Sequence, residues 1–262
     1  KINNYVFYDM PLLPNCISLF KYIHTVPVEK SWEILVAVLS DLKNNLHTQD
    51  CRICDFSMID LYIENKVNLN LNFIREKSKY ICDLEKYDSL SVNGKETPTL
   101  KNYTEILSQD NLRKVFEKDH YSEIHGDLTV ENIVCIREPE VESKQAAIQV
   151  FKSLKYYLID PNGGNIHDSP NLDYSKLLQS LHGNYELLTM VESIDIEKNS
   201  VQFFSPSADN YQKLYSKYRN YLNENFTSEQ LLSIYYHEAI HWLRLLPYRI
   251  NKDEKMAVIF YV

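Results

Sequence analysis

Apolar residues recur at helical spacing over much of the chain, and the elements follow from where that spacing starts and stops. Leu19, Phe20 and Ile23, ahead of Pro27, predict a short helix. Ser31-Trp32-Glu33 opens a longer one, with Ile34, Leu35, Val38, Leu39, Leu42 and Leu46 at helical spacing. Over residues 59–87 apolar positions still recur, but Asn65, Asn68, Asn70 and Asn72 weaken any single long helix. Residues 89–98, which contain Asn93-Gly94, read as a turn or exposed loop. Residues 103–120 read as an amphipathic helix bearing Ile106, Leu107, Leu112, Val115 and Phe116. Further helices are expected from Asp173 to the His182-Gly183 stop, over 208–222, and over 228–246 with Pro247 closing it. Short β-type runs, Asn132-Ile133-Val134-Cys135-Ile136 and Lys155-Tyr156-Tyr157-Leu158-Ile159, predict a hairpin around a charged surface excursion at 137–153. Residues 201–204 suit another strand, and the apolar tail after Asp253 suits strand or helix. The pattern as a whole is α+β and mainly helical, without internal repeats.

Composition bounds what such a chain does. Hydrophobic residues make up 44% of 262, enough for a sizeable core in one large domain or two modest ones. No apolar run approaches the ~20 residues that span a bilayer, so no membrane span is expected, and no basic-then-apolar leader opens the sequence. The formal charge of −8 disfavours a nucleic-acid partner by repelling phosphate backbones. A nucleotide remains acceptable, since a divalent cation offsets its charge locally. Cys16, Cys51, Cys54, Cys82 and Cys135 are odd in number and scattered, which points to free thiols in a reducing, cytoplasmic setting. Cys51-Arg-Ile-Cys54 has metal or redox spacing, but no second pair exists to complete a zinc site.

The candidate chemistry sits at the ends of the predicted hairpin. His125-Gly126-Asp127-Leu128-Thr129-Val130-Glu131-Asn132 precedes its first strand, and Asp160-Pro161 follows its second. Acidic groups gathered there suit phosphoryl transfer from a magnesium nucleotide to a hydroxyl. One carboxylate accepts the hydroxyl's hydrogen bond, while an amide oxygen and a second carboxylate hold the metal against the phosphates.

His-Gly-Asp-x-x-x-x-Asn followed by Ile-Asp resembles the pattern of the aminoglycoside phosphotransferase and choline kinase-like enzymes, relatives of protein kinases. The resemblance implies that Asp127 is the catalytic base, that Asn132 and Asp160 are magnesium ligands, and that His125 braces the loop. Gly126 stands where protein kinases usually carry arginine, and Pro161-Asn162 replaces the phenylalanine and glycine after the metal aspartate. That departure argues against a protein substrate. Family members also carry an aspartate that steadies the catalytic loop through its backbone; Asp173 matches it, and a simple helix cap explains the same residue equally well. The implied fold is a protein-kinase-like large lobe with a catalytic β-hairpin. Residues 1–14 would be the last strand and hinge of the small lobe, with Met10 meeting the nucleotide, and 15–262 the helical large lobe. No Gly-rich phosphate loop or strand lysine precedes the hinge, so most of the small lobe is expected in a longer parent chain. The implied reactants are ATP, with GTP as the alternative, Mg2+ and a small-molecule alcohol such as a sugar, aminoglycoside or amino alcohol.

Two other function classes compete. A pseudokinase-like module would bind nucleotide without turnover. A zinc peptidase would use His237-Glu238-Ala239-Ile240-His241, in which histidines four apart share a helix face and the glutamate activates water. A third ligand for that metal is hard to find: Asp253 and Glu254 are the only acidic residues after His241, and no histidine follows. The twenty tyrosines offer rings for a quaternary-ammonium cage, and Glu186 or Glu238 a carboxylate for an amino substrate; core packing and solvated charge are the default readings of both.

Overall fold

The computed structural model describes residues 15–136 and 156–262. The expected strand and hinge at 1–14, with Met10, and the excursion at 137–153 lie outside the described residues. Strand β1 (Cys16–Ser18) runs into helix α1 (Leu19–Ile23), whose first turn is capped by the Ser18 hydroxyl accepting from the Lys21 amide. Helix α2 (Val28–Asp41) starts directly behind Pro27 and continues into a π-type turn at Leu42–Leu46. After β2 (Arg52–Ile53), α3 (Phe56–Ile63), a second π-type turn (Glu64–Asn68) and α4 (Leu69–Lys77) form a nearly continuous rod, followed by α5 (Lys79–Leu84). The asparagines that weaken the helical pattern there are accommodated by local bonds. Asn65 and Asn70 each donate to the carbonyl four residues back, of Leu61 and Lys66, both at 2.8 Å.

The middle of the chain departs most from expectation. Residues 89–98 form a hairpin, β3 (Ser89–Val92) and β4 (Lys95–Pro98), rather than a loop. Asn93 and Gly94 both take positive φ, 49° and 81°, as a tight primed hairpin turn requires. Helix α6 (Gln109–Phe116) is about half the length expected, because Ser108 caps it and accepts from the Asn111 amide. Strand β5 (His120–Tyr121) then pairs with β2.

The predicted hairpin forms from β6 (Ile133–Ile136) and β7 (Tyr156–Leu158), antiparallel with Ile133 opposite Leu158, and β1 adds on the other edge of β6. Next come α7 (Asn171–Leu181), α8 (Tyr185–Leu188), and the strands β8 (Asp195–Glu197) and β9 (Ser200–Gln202). These two strands complete a four-stranded sheet of order β4-β3-β9-β8. Helix α9 (Asp209–Asn225) precedes α10 (Ser228–Lys252), which opens with a capping box between Thr227 and Gln230. Pro247 does not close α10 as expected; the helix runs through it, losing one backbone bond, because packing on both sides holds the rod. The ambiguous tail is helix α11 (Glu254–Tyr261), capped by Asp253.

Two apolar cores result. The first joins α1, α2, α7 and α9 with Leu128, Val130, Ile133 and Cys135. The second joins α3 to α6, Leu90, Val201, the later turns of α10 and α11. Helices α7 and α10 pack along one another and bridge the two. The loop before β6 anchors Leu128 and Val130, both fully buried, in the first core; each such side chain contributes roughly 2 kcal/mol on burial. Its polar residues are therefore held at the seam between the cores. Among the described residues no helix is long and apolar enough to cross a membrane.

Candidate functional site

Loop 124–132 is fastened from beneath by one carboxylate. Asp173, fully buried in the first turn of α7, accepts from the amides of His125 (2.9 Å) and Gly126 (2.7 Å), while His47 Nε2 meets the same carboxylate at 2.9 Å. It does not cap its own helix, whose N-terminus has no side-chain cap. Gly126 has φ +76°, and a Cβ there would fall 2.0 Å from Asn165 Nδ2 and 2.7 Å from the Asn162 carbonyl, so only glycine fits. His125 accepts from the Asp127 amide at Nδ1 (3.3 Å) and donates through Nε2 to the Ile159 carbonyl (2.9 Å), two bonds that a single tautomer satisfies. The Asn162 amide donates to the His125 carbonyl at 2.8 Å. The histidine thus ties the loop before β6 to the chain leaving β7.

Asp127 and Asn132 are brought together. Asn132 Nδ2 donates to the Asp127 carbonyl (2.8 Å) and to Asp127 Oδ2 (3.3 Å), which commits its amide nitrogen and leaves Oδ1 as the atom with ligand character. Asp160 reaches the same end of the hairpin through the backbone: the Ile159 amide donates to the Asn132 carbonyl at 3.0 Å. Asp160 is exposed and has φ +52°, a left-handed conformation that aspartate tolerates better than most residues. Its side chain is not among those lining the neighbouring cleft.

That cleft, 420 Å³ in volume, lies between the loop, α7 and the middle of α10. Asp127, Thr129 and Asn132 line one wall, Lys176 and Gln179 the second, His241 and Arg244 the third. Lys176 Nζ pairs with Asp127 Oδ1 at 3.1 Å and donates to Gln179 Oε1 at 3.0 Å. Burial pushes the Lys176 ammonium pKa down, against the opposing pull of Asp127. Sequence reasoning passed over Lys176 and Arg244. The available signal was spacing: Lys176 lies three residues after Asp173 and Arg244 three after His241, one helical turn along the same faces.

Neither carboxylate considered for an amino substrate is free for one. Glu186 is buried and accepts from Ser180 Oγ (2.8 Å) and Tyr211 (2.5 Å), while Glu238 is buried against His182 Nδ1 at 2.9 Å. Tyr185 is the single aromatic side chain among the described residues lining the cleft, too few for an ammonium cage.

The two histidines of the zinc-type motif serve different neighbourhoods. His237 Nδ1 meets Tyr62 (2.9 Å) and its Nε2 meets Asp119 Oδ2 (3.1 Å), whereas His241 faces the cleft. The described residues contain one group of three ligating side chains within 4.8 Å, Asp119, His167 and His237, and it omits His241. In that group His167 Nε2 also meets Asp119 Oδ2 (2.9 Å), with its Nδ1 on Tyr121 (3.1 Å), and Asp119 Oδ1 accepts from Asn171 and Ser233. Every polar atom of the trio has a protein partner, so it works as a buried clamp between α6, the segment after β7, and α10.

The clamp makes the fold acid-sensitive. Burial pushes the His237 imidazole down to about 4, although the Asp119 bond pulls the other way. Burial, then Lys176 and Arg244, push His241 well below its ordinary value. The unfolded chain takes up these protons near pH ~6.5 and the folded chain does not. The stability they contribute is complete above about pH 6.5 and is lost as pH falls toward the folded values. Urea unfolding from about pH 7 to about pH 4.5 should therefore lose about 2 kcal/mol from His237 alone; a flat profile would contradict this. Burial alone would raise Asp119, but its bonds from His167 and His237 outweigh that and hold it below the usual carboxylate range. Its own contribution is lost only below about pH 4.

Compared with known proteins, the chain matches no family model, no curated protein and no solved structure.

Proposed function

We propose that this chain carries the phosphoryl-transfer site of a kinase-like small-molecule phosphotransferase, on a large lobe of that fold, acting from ATP on an alcohol. The observation that supports this best is the Asp173 carboxylate on the amides of His125 and Gly126, which fixes the loop presenting Asp127. A simple capping aspartate has no reason to be spent in this way. Asp127, partly exposed at the cleft wall, accepts the hydrogen bond of the acceptor hydroxyl and orients it for in-line attack.

The donor set fits magnesium: a half-buried amide oxygen on Asn132 and an exposed carboxylate on Asp160 are hard oxygen ligands, few enough to leave a magnesium ion its waters. When bound, the ion offsets charge on the phosphoryl oxygens. The chain's own residues hold Asp127 in place through Asn132 and keep a cation, Lys176, beside the base.

The reading is tested by incubating the protein with magnesium and γ-labelled ATP across a panel of sugars, polyols, amino sugars and amino alcohols. Label is expected in one hydroxyl class, with none transferred when magnesium is withheld. Absence of transfer to every class, by both this chain and any longer parent, would overturn it.

A further inference from the structure

The cleft beside Asp127 holds charge that hydroxyl recognition alone does not explain. Its lining carries two carboxylates, Asp127 and Glu131, and two cations, Lys176 and Arg244. Asp127 is paired with Lys176, and Glu131 is exposed to solvent at the rim. Among the described residues no carboxylate pairs with Arg244, whose guanidinium meets the protein at His241 Nδ1, 3.5 Å away. His241 itself is 2% exposed and lies against the Leu172 backbone, and among the described residues its Nε2 has no hydrogen-bond partner of good geometry. An unpartnered buried nitrogen costs free energy unless a ligand or water meets it. A partly buried arginine without a carboxylate is the residue suited to planar recognition of an oxyanion.

Resting on the phosphotransferase reading, we propose that Arg244, Lys176 and His241 form an anion site for the acceptor, so that the alcohol phosphorylated here already bears a phosphate group. The site's place favours the acceptor over the donor. Its three residues sit on α7 and α10, whereas Asp160, which would help take the metal and donor phosphates, does not line the cleft. The exposed rim carboxylate of Glu131 is left to meet hydroxyls of the same molecule. A cationic amino sugar or choline would instead face Arg244 and Lys176 with like charge and meet only the solvated rim carboxylate of Glu131, since Glu186 and Glu238 are engaged in the protein interior.

Calorimetric titration of this chain with glycerol 3-phosphate, inorganic phosphate, glycerol and inorganic triphosphate tests the proposal. Glycerol 3-phosphate is expected to bind with a Kd on the order of 1 mM, glycerol not measurably, and R244Q to weaken the phosphate ester at least about tenfold. Should R244Q misfold by circular dichroism, R244K serves, with binding weakened several-fold because the planar fork is lost. The site is refuted by equal binding of glycerol and glycerol 3-phosphate, by no binding of either phosphate, or by unchanged affinity in a folded R244Q. Preference for triphosphate by about tenfold or more would assign the cations to the donor and also overturn it. D127N should bind the phosphate ester at least as tightly, because Lys176 loses its carboxylate partner, while losing transfer. Anion binding without transfer to any alcohol would sink the phosphotransferase reading alone, and transfer only to neutral alcohols would sink the anion site alone.

Discussion

Replacing Asp173 with alanine is expected to lower the unfolding free energy by about 3–5 kcal/mol, or to prevent folding altogether. The carboxylate is fully buried and is the common acceptor for the His125 amide, the Gly126 amide and His47 Nε2. Alanine leaves three donors without an acceptor, each costing about 1–3 kcal/mol when water cannot reach it. A helix cap of the ordinary kind costs only about 1 kcal/mol on the same substitution, so the size of the loss separates the two roles. D173N should recover little, because an amide has one acceptor oxygen where the site uses two and presents donors to donors. Urea unfolding monitored by circular dichroism reads the difference. A loss near 1 kcal/mol would mean that the loop holds its shape without this carboxylate.

The second large effect is on turnover. Asp127→Asn is expected to reduce phosphoryl transfer about 10³-fold, within the range that a positioned general base supplies. Folding should be nearly untouched. Asp127 is 40% exposed on its side chain, and its pairing with Lys176 is the kind of partly solvated contact that contributes at most about 1 kcal/mol. The backbone carbonyl that receives the Asn132 bond is unchanged by the substitution. Steady-state transfer rates, with a thermal melt of the same preparation, separate lost chemistry from lost fold. Full activity in D127N would remove Asp127 as the base.

How far these features could be read from sequence depended on whether the signal was local. Helices α1, α7 and α9 follow apolar spacing closely, as does the β6–β7 hairpin, whose strands are short runs with clear flanks. Residues 89–98 differ from the sequence expectation because Asn93-Gly94, which marks a loop as readily as a turn, closes a hairpin whose flanks pair in register from Ser89 with Pro98 to Val92 with Lys95. Helix α6 is shorter than its apolar spacing implies, because that spacing continues before Ser108 while the serine caps the helix. The local cost of Pro247 points to a helix end, yet long-range packing keeps α10 intact.

The site shows the same division. Asp127 and Asn132, five apart before β6, and Asp160, just after β7, are candidates that local spacing around one hairpin brings out. Lys176 and Arg244 come from helices far along the chain, and their approach to Asp127 depends on how α7 packs along α10. Asp119, His167 and His237 likewise meet only in three dimensions, from three separate elements. For Asp173, sequence offered two roles of equal weight, and the direction of its carboxylate could not be read from a helix N-terminus alone.

The central claim is that the hairpin end holds a divalent cation against a nucleotide through Asn132 and Asp160. Manganese, a paramagnetic stand-in for magnesium, tests it by electron paramagnetic resonance titration of the protein with ATP present. Asp160→Asn keeps the left-handed backbone position, which asparagine also tolerates; Asn132→Ala removes the amide oxygen. The account predicts one bound manganese per chain, weakened at least about tenfold by either substitution. Manganese and ATP bound equally well by both variants, with circular dichroism showing them folded, would contradict it.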